Sequence, residues 1–187
     1  MQQSTIDFSK LRILIVENHA LMRRLLHEML RGFGCQQIEL ARSVPEGLKH
    51  IYAEAFDMVI LDFFLGDLDG ADFARQVRHD DSCRNRWVPI LLITGKPDHH
   101  KVLKVRDAGI HGMMAKPISP KNLYWRLHAL LSNPRPFVVS ANYIGPMRQR
   151  SQFSSSPPGP YRHAAAAPLP EIHHHRTAVG ADEQIFN

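Results

Sequence analysis

Five short apolar runs, each followed by a longer stretch with helical spacing, fill the chain up to about Ser132, and this alternation narrows its folds more than any other feature. Strands joined by crossover helices run parallel, and a parallel sheet must be covered on both faces. The pattern therefore predicts a doubly wound α/β domain. Leu11 to Val16 reads as the first strand, nearly continuous in apolar residues as a doubly covered strand should be. Leu21, Met22, Leu25, Leu26, Met29, Leu30 and Phe33 then recur at helical spacing, with Gly32 and Gly34 as a stop signal. Gln37 to Ala41 follows as a second strand. Ser43, with Glu46 three residues on, announces a capped helix through Leu48, Ile51 and Tyr52. Met58 to Leu61 is the third strand, and Asp69 to His79 a helix whose apolar face rests on Phe73 and Val77. Pro89 to Ile93, Asp98 to Asp107, Ile110 to Ala115 and Ser119 to Leu131 complete the series, with Gly109 stopping the fourth helix.

After Ser132 the texture changes. Of 13 prolines in the 187 residues, eight lie from Asn133 onward, beside Ser154–Ser156, Ala164–Ala167 and His173–His175. Such a segment buries too little apolar surface to offset its ordering entropy. The reading is an N-terminal extension over 1–10, one domain over 11–132 and a mostly disordered tail over 133–187. Within the tail, 134–148 is expected to lie along a surface as an extended strip. The triple histidine reads as incidental sequence rather than a metal site.

The formal charge of +5 divides between the two parts, since five Arg against three acids in the tail leave +3 for residues 1–132. Neither part interleaves Lys/Arg runs with aromatics, so no direct nucleic-acid contact is expected. No apolar run approaches the roughly 20 residues that span a bilayer. The start, MQQSTIDFSK, lacks the charged, apolar and small-residue regions of a signal peptide, which points to a cytoplasmic protein without membrane contact. Cys35 and Cys83 are too few for a disulfide framework and fit reduced thiols.

The chemistry gathers at the strand ends, where open α/β sheets bind ligands. Strand one ends in Glu17-Asn18, strand three in Asp62, strand four in Thr94-Gly95 and strand five in Lys116-Pro117. Two carboxylates and an amide make a hard-cation site suited to Mg²⁺. A metal beside Asp62 would keep it ionised despite partial burial, and an ionised carboxylate is a nucleophile for phosphorus. Thr94 and Lys116 would donate to phosphoryl oxygens. Asp67 reads as a solvated loop residue, Asp69 as a helix cap, and His99 and His100 as solvent-facing.

These pieces resemble the receiver domain of two-component response regulators: I-L-I-V-E-N at 13–18, D-x-x-L-G-x-x-D-G at 62–70, L-L-I-T-G at 91–95 and A-K-P at 115–117. The resemblance implies a flavodoxin-like (βα)5 fold with strand order 2-1-3-4-5. It also implies phosphoryl transfer to Asp62 from a histidine kinase or phosphotransfer protein, and signalling near the fourth helix and fifth strand. It further implies a metal contact from the Phe64 backbone carbonyl and a cis Lys116-Pro117 bond. The tail stretch N-P-R-P-F-V-V-S-A-N-Y-I-G-P-M-R-Q-R is similar to an extension of stand-alone alphaproteobacterial receivers. With no DNA-binding or enzymatic output segment after it, output is expected through an unidentified downstream protein.

Two departures bear on function. The second acid after strand one is Asn18, which loses a formal charge and predicts weaker Mg²⁺ binding. The position three before the lysine, where receivers use a Tyr or Phe together with Thr94 as a switch, is Met113, which lacks both hydroxyl and rigid ring. Phe64 and Lys96 flank the site, and a bulky Phe64 is expected to slow hydrolysis of a phosphoryl group. The leading reading is a single-domain response regulator that accepts a phosphoryl group on Asp62 and signals through protein contacts, with at most self-phosphorylation and autodephosphorylation as activities of its own. The alternative is a phosphorylation-independent pseudo-receiver, a binding module. A haloacid-dehalogenase-like phosphatase also uses a strand-end Asp, but wants a second acid where this chain has Phe64.

Overall fold

The structure is a computed structural model and describes residues 6–95, 99–140 and 142–148. Lys96, the expected fourth-helix start at Asp98, and the Ser-, Ala- and His-rich stretches of the tail lie outside the described residues. Its elements are β1 (Arg12–Val16), α1 (Ala20–Gly32), β2 (Gln37–Ala41), α2 (Val44–Ala53), β3 (Met58–Asp62), α3 (Gly70–His79), β4 (Ile90–Thr94), α4 (His99–Asp107), β5 (Gly112–Ala115), α5 (Pro120–Ser132), β6 (Phe137–Ser140) and β7 (Tyr143–Pro146). The first five strands form one parallel sheet in the order β2-β1-β3-β4-β5, the doubly wound arrangement that the alternating pattern and the family resemblance imply.

Alternation along the central strands divides the core. Ile13 and Ile15 of β1, Met58 and Ile60 of β3, and Leu91 and Ile93 of β4 pack with α1 and α5. Leu14, Val16, Val59, Leu61, Ile90 and Leu92 point the other way, toward α2, α3 and Val105 of α4. All five residues of β3 and of β4 are buried, which is why those strands read as unbroken apolar runs.

The helix starts follow their caps. Ser43 accepts from the Glu46 amide, but Glu46 returns its carboxylate to the Arg42 amide (2.7 Å), one residue before the position that a reciprocal capping box uses. Asp69 and Asp72 complete the reciprocal box at α3 instead. β5 is shorter than its apolar run, because Ile110 and His111 are buried in the turn that leads into it.

The N-terminal extension packs on the domain through Phe8, whose ring stacks on Tyr124 at 5.3 Å. Residues 134–148, expected as an extended strip, instead fold back on themselves as an antiparallel hairpin, β6–β7. Phe137 at its start is 5% exposed and lies against Trp87, His111 and the guanidinium of Arg78. Arg78 is fully buried in α3 and donates to the carbonyls of Gly109, Arg86 and Val88, so one side chain ties α3, the loop before β4 and the α4–β5 turn together. Gly109 has φ +74°, and a Cβ there would stand 2.2 Å from the Ile144 carbonyl oxygen. Only glycine allows both that turn and that approach.

Candidate functional site

The strand order reverses between β1 and β3, so the crevice outside their carboxyl ends is flanked by Glu17 and Asn18 on one side and Asp62 on the other. Glu17 (1% exposed) and Asp62 (6%) are buried polar residues in a core that is otherwise almost wholly apolar. Glu17 Oε1 accepts from the His19 amide at 3.0 Å, and Oε2 accepts from Lys116 Nζ at 2.9 Å. Lys116 Nζ also stands 3.0 Å from Asp62 Oδ1. That contact is an ion pair without the directionality of a hydrogen bond, and Asp62 Oδ1 is buried with no hydrogen-bond partner among the described residues.

Two carboxylates and one ammonium leave one negative charge uncompensated in a desolvated place. Burial lifts the Asp62 carboxyl above its usual 3.8; Lys116 opposes the rise and the nearby Glu17 charge adds to it. Burial works against the Lys116 charge too, yet Glu17 and Asp62 together hold its pKa above the ordinary lysine value. An orphaned carboxylate oxygen beside a second acid suits a bound cation. Among the described residues, however, no three His, Cys, Asp or Glu side chains cluster as a metal site, which leaves oxygen donors such as the exposed Asn18 to complete one.

The other site residues follow the register. Thr94 is fully buried and opposite Ala115, and its carbonyl accepts from the Lys116 amide at 2.8 Å, so threonine and lysine leave adjacent strands together. The Lys116-Pro117 bond is cis. Met113 is opposite Leu92 and packs partly buried against the core. Phe64 is 51% exposed, its ring 5.0 Å from that of Phe63, with Lys101 Nζ 5.1 Å above it. Phe64 also bridges Asp69, which closes the loop over Asp67, itself exposed. His99 and His100 are exposed as expected.

Glycine at position 70 is required by the site. A Cβ there would lie 2.5 Å from the Asp62 carbonyl oxygen, so α3 starts in direct contact with the acid's own backbone. Sequence reading missed the partner of that helix start: Lys104 of α4 pairs with Asp69, and stands 3.7 Å from Asp72. A lysine on a polar helix face carries no signal of its partner. Arg78 was missed for the same reason, since an arginine at helical spacing ordinarily reads as surface.

The profile of the response regulator receiver domain matches residues 13–128. The chain belongs to that family. Receivers are phosphoryl-accepting signalling domains of two-component systems; they generally bind Mg²⁺ at an acidic pocket and interact with histidine kinases or phosphotransfer proteins. The chain is 27% identical over 113 residues to the chemotaxis protein CheY of Pseudomonas aeruginosa, which covers 60% of this chain and 90% of that one. It is 26% identical over 117 residues to CheY-3 of Vibrio cholerae, covering 63% of this chain and 88% of the relative. Among solved structures, a putative response regulator from Chloroflexus aurantiacus is similar with a TM-score of 0.60 and 29% identity, over 66% of this chain and 98% of that one. The receiver match stops before the β6–β7 hairpin. Among the described residues no helix is long and apolar enough to cross a membrane.

Proposed function

We propose that this receiver accepts a phosphoryl group on Asp62 from a histidine kinase or phosphotransfer protein and signals by a change in its contacts with a downstream protein. The observation that carries the reading is the buried Asp62 Oδ1, without a hydrogen bond but 3.0 Å from the Lys116 ammonium. An Asp62 oxygen attacks phosphorus as the bond to the donor nitrogen breaks, and the electron pair leaves with the donor imidazole. Lys116 and Thr94 stabilise the phosphoryl oxygens from the neighbouring strand ends. Glu17, Asn18, Asp62 and the Phe64 carbonyl would hold Mg²⁺, which when bound supplies charge that neutralises the incoming group. Glu17 shares its carboxylate with Lys116 and Asn18 brings no formal charge, which supports a weakened metal site.

Incubation with Mg²⁺ and a small acyl phosphate donor tests this directly. The expected result is a base-labile phosphoryl mass gain that disappears in Asp62→Asn and in the absence of Mg²⁺. A wild-type protein that never gains the mass, under conditions where a phosphotransfer partner still binds it, would establish the phosphorylation-independent binding module that Asn18 and Met113 favour.

A further inference from the structure

The hairpin creates a cleft that the receiver core by itself does not have. Between the end of α4, the turn into β5 and strand β7 lies a cavity of about 240 Å³, lined by Arg106, Ile110, Arg135, Tyr143, Pro146 and Arg148. Three of those six are guanidinium groups. Among the described residues the acid that compensates them is Asp107, and both Arg106 Nε (3.1 Å) and Arg148 (2.8 Å) reach the same oxygen, Oδ1. The negative end of the α4 dipole adds about half a charge more. Three guanidiniums therefore exceed their local compensation by more than one unit.

Two of the three are held in place rather than loose. The Arg135 guanidinium donates to the carbonyls of His111 and Met147. Arg148 lies over the Tyr143 ring, 4.3 Å from its centroid, while the Tyr143 hydroxyl donates to the Pro146 carbonyl at 2.7 Å. Each guanidinium still has unspent donors, because an arginine carries five. Of the three, Arg135 also bears on the His111 imidazole, which is pushed down to about 2, first by burial, then by the charge of Arg78 and last by that of Arg135.

We infer that this cleft binds a multiply charged phosphate group, through Arg106 and Arg148 at its mouth and Arg135 at its base. Guanidinium forks match phosphate oxygens in pairs, and a dianion removes the excess positive charge that the hairpin brings to this corner. Size limits the ligand. Pockets for drug-sized molecules run to roughly 300–1,000 Å³, so this cleft takes a phosphate or diphosphate group and not an entire nucleotide. The site lies beside β5's amino end, away from Asp62, and is independent of phosphoryl transfer there.

The competing structural role is that the arginines only pin the hairpin. Arg106 separates the two, since its contact is with Asp107 on its own helix and its side chain is half exposed. Inorganic pyrophosphate is the probe, titrated calorimetrically into the full-length protein without Mg²⁺ at low ionic strength, where Glu17 and Asp62 outnumber Lys116 and the acidic pocket repels an anion. A nucleoside diphosphate in a second arm distinguishes a free anion from a diphosphate carried on a larger molecule. Saturable pyrophosphate or nucleoside diphosphate binding that weakens roughly tenfold or more in Arg106→Ala, is partly kept by Arg106→Lys, and falls with added salt supports the site. The melting temperature of Arg106→Ala should stay near that of its parent. Absence of saturation to millimolar concentrations, or equal binding by the Arg106→Ala protein, overturns it.

Discussion

At the scale of single residues the protein sets two buried ionisable groups against each other. His111 is neutral, accepting from the Ile90 amide at 3.2 Å with Arg78 and Arg135 near it, and its pKa falls to about 2 from the ordinary 6.5. Between those values the unfolded chain binds a proton that the folded one refuses, so stability falls as pH drops below 6.5, by up to about 1.4 kcal/mol per pH unit. Asp62 works in the opposite sense: its folded value is raised, so its contribution is full below 3.8 and lost as pH rises through the folded value. The His111 effect is therefore cleanest in an Asp62→Asn background. Urea unfolding there between pH 7 and about 5 should show the slope, and His111→Gln should flatten it; an unchanged slope would mean that the imidazole is protonated in the fold. Asn18 bears on the acidic pocket in a different way. Restoring a carboxylate with Asn18→Asp adds one charge beside the metal position and should tighten Mg²⁺ on the order of tenfold, as read by calorimetric titration. Phe64→Asn should speed loss of the phosphoryl group by replacing an aromatic cover with a side chain that positions water, measured as the decay of phosphorylated protein.

At the scale of elements, α4 and the hairpin stand apart from the rest. Only Val105 of α4 is buried, whereas α3 buries six residues, and α4 is held through its last turn by Lys104 to Asp69 and by Arg148 to Asp107. A helix kept in place by half-exposed ion pairs should loosen as salt screens them. Its amides are expected to exchange faster than those of α3, and the gap to widen at high ionic strength. The hairpin rests on two buried apolar side chains, Phe137 and Ile144, so Phe137→Ala should cost about 3 kcal/mol and release the β7 amides to exchange. These elements differ in how they show in the sequence. The central strands were legible because burial on both faces demands unbroken apolar runs, and Ser43, Asp69 and Ser119 marked helix starts because caps are local. The acid pocket was legible because strand ends of a parallel sheet converge whatever the loops do. The hairpin was not legible as a hairpin, since Pro136, Gly145 and Pro146 look like linker composition and the surface that holds it comes from Arg78, Trp87, Gly109 and His111 far back in the chain.

At the scale of the whole molecule the sheet has two chemically distinct ends. Glu17, Asp62, Thr94 and Lys116 gather at the carboxyl ends of the strands, while Phe137, Arg78 and His111 bind the hairpin to the amino ends of β4 and β5. β4, which runs between them, is buried along its whole length, and sites separated by such a core usually contribute independently to within about half a kcal/mol. Removing the chain after Asn133 should therefore separate stability from chemistry. The shortened protein loses Phe137 from the face of Arg78, and a guanidinium with three carbonyl acceptors and, among the described residues, no carboxylate then meets water. Unfolding free energy is expected to fall by about 3 kcal/mol or more, while the initial rate of Asp62 phosphorylation by a small donor stays within about twofold of the full chain. Both are read on the same preparation, by denaturant unfolding and by mass gain with time. A phosphorylation rate that collapsed while the shortened protein remained folded would mean that the hairpin governs the acidic pocket through the strands, and the two ends of the sheet would have to be treated as one coupled device.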